Sequence, residues 1–99
     1  MTGMIMQAKF PMGQMVMTRG VNDKVADDSG FAAFVLDSLK RHARGDWGDM
    51  CAEDKAENVL ALGERLRLFS AYEYPALPKI WIITEADRSA TTVLFPDEY

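Results

Sequence analysis

The sequence predicts an α+β domain, a four-stranded antiparallel sheet with helices packed on one face, and three observations predict it. From Leu66 onward the hydrophobic period is 2, in the runs LRLFSAYEY, KIWIIT and SATTVLF, each separated by a few turn residues. Before them stands a helix-period segment, Gly30 to Arg44, and before that a short β-forming run, GQMVMT. A chain of 99 residues with 48% hydrophobic residues is long enough to bury one core without staples.

Taken in order, Met1 to Lys9 is Met-rich and aperiodic and reads as a loosely held N-terminal arm, leaving residues 10–99 as the single domain. Pro11 and Gly13 mark the start of the first strand as an edge or a bulge. Thr18 caps a short helix through VNDKVADD, and the chain turns at Asp28-Ser29-Gly30. Ser29 then caps the strongest helix, which ends at Gly45. At 100° per residue Phe31, Phe34, Val35, Ser38, Leu39 and His42 share its apolar face.

GDWGDM reads as an ordered turn packed by Trp47, leading to a third helix, Ala52 to Arg65. Ala52, Ala56, Val59, Leu60 and Gly63 form its expected buried stripe, and Cys51 sits in the cap position. The three later strands form a meander, with Pro75 and Pro78 around one loop and Glu85 to Arg88 in the other. The first strand is expected to join the meander at one edge, and polar groups to collect on the helix-free face.

Composition excludes several classes of function. A net charge of -4 and a pI near 4.8 create no field that draws in phosphates, so generic nucleic-acid binding is disfavoured. No stretch approaches the roughly 20 apolar residues of a membrane span. One cysteine makes no intramolecular disulfide and, with one histidine, no zinc site, so a reducing cytoplasmic setting is expected, with no metal and no cofactor. The glycine-rich nucleotide loops, the zinc-protease helix motif and the hydrolase nucleophile elbow are all missing from the sequence.

The residues left to carry chemistry are few. His42 is the only side chain with an ordinary pKa near neutrality, yet its place in the middle of an apolar helix face suits a hydrogen-bonded packing residue better than an acid or base. The turn TEADRSATT gathers Asp87, Arg88, Ser89 and Thr91, and Asp87, Arg88 and Thr91 are candidate binding residues together with Trp47. The bland reading of that turn is a hairpin held by an Asx-turn at Asp87. Asp46 and Asp49 lack the further oxygens of a calcium loop. Trp47, Tyr72, Tyr74 and Trp81 read as packing, and the methionines Met1, Met4, Met6, Met12, Met15 and Met17 as an adaptable contact surface.

The blocks FPMGQMVMT, RHARGDWGDM, DKAEN, LFSAY and above all KIWIITEADRSATTVLFPDEY resemble a family of small bacterial proteins usually labelled plasmid-related, some of them labelled a type I restriction methylase subunit. The resemblance covers Phe10 to Tyr99 and implies relatives linked to mobile genetic elements without implying an activity. Cys51 stands where that family usually has serine. At the level of element order the chain is also similar to RelE-type and barnase-like ribonucleases. That likeness implies His42 as general acid or base, with Arg67, Arg88, Ser89 and Thr91 at the phosphate. Two functions are therefore expected as alternatives. One is a non-catalytic interaction protein, monomeric or weakly dimeric, with an unknown protein partner; the other is a small metal-independent ribonuclease.

Overall fold

In a computed structural model that describes residues 8–99, the chain forms β1 (Gln14–Met17), α1 (Arg19–Asp27), α2 (Ser29–Ala43), α3 (Ala52–Glu64), β2 (Leu68–Tyr72), β3 (Ile80–Thr84) and β4 (Ala90–Leu94), followed by a 3-10 turn at Pro96–Glu98. The α+β class is as expected, and no helix among the described residues is long and apolar enough to cross a membrane. Of the expected arm, residues 1–7 lie outside the described residues, whereas Lys9 donates its N–H to the Ala43 carbonyl at 2.8 Å.

The sheet order is β1-β4-β3-β2. β2, β3 and β4 form the antiparallel meander, but β1 runs parallel to β4, with Gln14 beside Ala90 and Met17 beside Val93. The sheet is thus mixed, which corrects the expectation of a purely antiparallel one. Short turns dictate antiparallel pairing within the meander, whereas β1 reaches β4 only through the whole helical layer, and such a crossover allows the parallel sense. Two contacts set it. Gly13, at φ +67, presses against the backbone of Arg88 and Ser89 where β4 begins, with no room for a Cβ. Thr18 N–H then reaches the Val93 carbonyl where β4 ends.

Local chemistry accounts for the helix ends. Thr18 accepts from Val21 N–H at the start of α1. Asp28, rather than the expected Ser29, caps α2 by accepting from Phe31 N–H at 3.1 Å, because a carboxylate one residue earlier reaches the third amide of the helix. Cys51 makes no side-chain cap to α3, and Arg65 closes that helix in the left-handed conformation.

The helices pack on one sheet face, carrying Leu68, Ser70, Tyr72, Ile80, Ile82, Thr84, Thr91 and Val93. Val21, Phe31, Phe34 and Val35 pack on its centre, and Phe10, Trp47 and Ala61 on Leu68 at one end. The opposite face carries Val16, Phe69, Ala71, Trp81, Ile83, Thr92 and Leu94.

α3 overturns its expected orientation. Ala52, Ala56, Val59, Leu60 and Gly63 are exposed, and the residues it buries are Asn58 and Ala61. The reason is a polar demand from β2, whose outward edge would otherwise leave backbone groups unpaired. Asn58 donates its amide N–H to the Phe69 carbonyl and accepts from Phe69 N–H at 3.1 Å, imitating a neighbouring strand. Further along, Asp49 N–H donates to the Ala71 carbonyl at 2.7 Å and the Asp49 carboxylate accepts from Glu73 N–H at 2.9 Å.

Removing the amide of Asn58 strands two backbone groups on a buried edge, so Asn58→Ala should destabilise the fold by roughly 2–3 kcal/mol, whereas Val59→Ala should change it by less than about 0.5 kcal/mol. Chemical denaturation of the two variants beside the parent checks both figures.

Candidate functional site

The polar residues of the helix-covered face form one hydrogen-bonded chain. His42, the second-to-last residue of α2, is fully buried and points its ring between β2 and β3. Its Nδ1 lies 2.5 Å from Ser70 Oγ and its Nε2 lies 2.9 Å from Thr84 Oγ1. Thr84 Oγ1 is 2.7 Å from Thr91 Oγ1, and the Thr91 hydroxyl donates to the Met12 carbonyl at 2.6 Å.

The carbonyl at the end fixes every proton in this chain, because each hydroxyl has one proton to give. Thr91 gives its proton to Met12, so it accepts from Thr84. Thr84, having given its own, accepts from His42 Nε2–H, which places a proton on Nε2. Complete burial holds the ring neutral, so Nδ1 accepts from the Ser70 hydroxyl. Burial pushes the imidazole pKa down to about 3, and the positive charge of Arg88 acts in the same direction. Phe10 and Trp47 close the ring off edge-on, with centroids 5.5 and 5.6 Å away.

The candidate residues named from sequence are therefore distributed over different surroundings. His42 and Thr91 are brought together, through Thr84, in the interior. Trp47 is buried beside them, stacked on Phe10 at 6.2 Å. Arg88 folds back over the Phe10 ring and donates to the carbonyls of Leu66 at 2.6 Å and Ala61 at 3.4 Å, tying the β3–β4 turn to the end of α3. Asp87 accepts from Ser89 N–H at 2.9 Å in the exposed turn, as an Asx-turn does. Arg67 lies on the other side of the sheet, where it donates to the Tyr99 hydroxyl at 2.8 Å and stands 3.7 Å from Glu85. The five residues of the ribonuclease constellation do not share one surface.

Sequence reasoning missed Ser70 and the histidine-binding role of Thr84. Their signal was a break in period 2: Leu68, Ser70 and Tyr72 alternate on one face, as do Ile80, Ile82 and Thr84, so each hydroxyl stands where an apolar side chain belongs. Polar groups in such positions need a partner, and the histidine of the apolar helix face is the partner.

What the surface offers instead is apolar. On the helix-free face Phe69 and Trp81 meet edge-to-face at 4.9 Å, and Tyr99 meets Trp81 at 5.9 Å. Next to Phe69, a groove of about 470 Å³ runs between α3 and the β2 edge, floored by Met50, Leu60, Leu66 and Phe69 and rimmed by Asp54 and Glu57. Among the described residues no group of three or more histidine, cysteine, aspartate or glutamate side chains is placed to hold a metal ion.

A histidine held neutral in the fold but free to charge in the unfolded chain makes stability fall with acid. The contribution is complete above pH 6.5 and is lost progressively as the pH drops toward 3, amounting to the order of 5 kcal/mol. Asp28, Asp46 and Glu98, whose carboxyls hydrogen bonds hold below the usual carboxylate range, add losses of the same sign only at lower pH. Between pH 6.5 and about 4.5 the unfolding free energy should follow the uptake of one proton, and the imidazole NMR signals should show the Nε2–H tautomer without titrating. A histidine titrating near 6.5 in the folded protein would refute the buried chain.

Compared with protein-family models, curated proteins and solved structures, the chain matches none of them.

Proposed function

We propose that this chain is a non-catalytic interaction protein that binds a protein partner through the helix-free face of its sheet. The observation that carries the reading is the aromatic row on that face. Phe69 and Trp81 are only partly buried, Tyr99 is largely exposed beside them, and Arg67 bonds the Tyr99 hydroxyl at the border. Aromatic residues and arginine are what protein interfaces concentrate.

The reading also uses what the interior has consumed. His42 and Thr84 spend their donors within the buried chain, Thr91 gives its own to the Met12 carbonyl, and the Arg88 guanidinium is taken up by carbonyls. A net charge of -4 favours a protein partner over a nucleic acid. The single, exposed thiol of Cys51 suits a reducing cytoplasm, and a link to bacterial mobile elements rests on the resemblance to plasmid-related proteins alone.

A photo-crosslinking residue placed at Thr92, in the middle of the open face, should give discrete protein adducts in cells. The same residue at Asn22 on α1 should give none, and Trp81→Arg should abolish the Thr92 adducts. Cleavage of single-stranded RNA by the purified protein, lost in Arg67→Ala, would overturn the reading in favour of the ribonuclease.

A further inference from the structure

The apolar surface of α3 lies on the side the helical period marks for burial, and it is left in water. Val59 and Leu60 are 64% and 59% exposed, and Leu66, just past the end of the helix, is 51% exposed, against the rule that apolar stripes face a core. The orientation is not slack packing, because Asn58 and the Arg88–Ala61 contact pin the opposite side of the helix to the sheet edge. Leu60 and Leu66 instead line the groove beside Phe69.

We infer that this groove receives an amphipathic helix of a partner protein, apolar on one side and carrying lysine or arginine on its flanks. The inference rests on the interaction reading above and adds the place and the chemistry of the partner. A helix is favoured over an added strand by the state of β2. Its outward backbone groups are already taken, Phe69 by Asn58 and Ala71 by the segment around Asp49, so this edge offers side-chain contacts and no ladder. α3, with 13 residues, presents a ridge about 20 Å long, enough for three to four turns of a helix laid beside it.

Charge selects the flanks. Glu53, Asp54, Glu57 and Glu64 stand on α3 around the apolar stripe, and none of them is in an ion pair among the described residues. Arg67, the cation at the groove, is engaged with Glu85 and Tyr99. A second copy of this chain laid antiparallel would set these acids against their own kind, and an anionic membrane surface would meet the same repulsion. A basic-flanked helix meets neither.

Two synthetic peptides of about 18 residues test this, sharing one leucine pattern at i, i+3, i+4 and i+7 but flanked in one case by lysine and in the other by glutamate. In 15N-correlated NMR titrations the lysine peptide should bind, shifting the amides of Ala52 to Gly63 and Leu66 to Phe69, and the glutamate peptide should not. Leu60→Ser, at an exposed position that leaves the fold intact, should weaken binding by about tenfold or more. Glu53→Lys with Glu57→Lys should transfer the preference to the glutamate peptide, whereas Asp23→Lys with Asp27→Lys, the same change of charge on α1, should leave it unaltered. Equal binding of both peptides, or loss of binding in the α1 control, overturns the inference. Shifts confined to Trp81 and Thr92 with α3 silent overturn the groove while leaving the interaction reading in place, and Leu60-dependent dimerisation of the chain alone gives the surface to a second copy.

Discussion

Everything in this fold is arranged around the need to keep one imidazole neutral and paired. Placing His42 on the apolar face of α2 brings two ring nitrogens into the interior, and each unmatched one would cost more than a hydrogen bond gains. The solution engages every strand of the meander and the chain leading into β1: Ser70 from β2, Thr84 from β3, Thr91 from β4 and the carbonyl of Met12. A single proton order runs from one end to the other. The register of the sheet and the depth at which α2 docks are therefore coupled, since a slip of one residue in any strand would turn its hydroxyl to the other face. This explains how a polar line through the core coexists with a well-packed apolar cluster on either side of it.

Much of this was legible in the sequence. The three strands and their turns followed from period 2 and from the turn chemistry of the residues between them, and α2 from its wheel and its glycine stop. The wheel sets His42 among Phe31, Val35 and Leu39, and the fold buries it there. The sense of β1 was not legible, since no turn constrains it and the deciding contacts, Gly13 on Ser89 and Thr18 on Val93, join residues far apart in the chain. The face of α3 was misjudged for a different reason. Amphipathicity counts only apolar burial, and the helix is oriented by a polar obligation, the pairing of Asn58 with Phe69, that outweighs two or three exposed aliphatic side chains.

The two edges of the sheet are treated differently. β2 is closed by Asn58 and by the segment around Asp49, which take the places of a neighbouring strand. β1 is four residues long, and Met15, Val16 and Met17 are exposed along it. Brevity is itself a protection, because four residues offer a template too short to recruit another chain efficiently. The chain thus spends its specific hydrogen bonds at the edge next to the apolar groove, where indiscriminate strand pairing would compete with recognition through side chains.

The parallel pairing of β1 with β4 has a consequence for how the molecule is made. A ribosome delivers Gln14 long before Ala90, its partner in the sheet, so nascent β1 has no edge to join while the helices and the first two meander strands emerge. Loop-closure entropy opposes this contact, whose partners lie 76 residues apart in the chain. The Met12 carbonyl reaches Thr91 by that same closure, so the buried proton order around the histidine is completed only when the C-terminal strand leaves the exit tunnel. Until then the segment carrying Met12, Met15 and Met17 has no partner strand in the sheet.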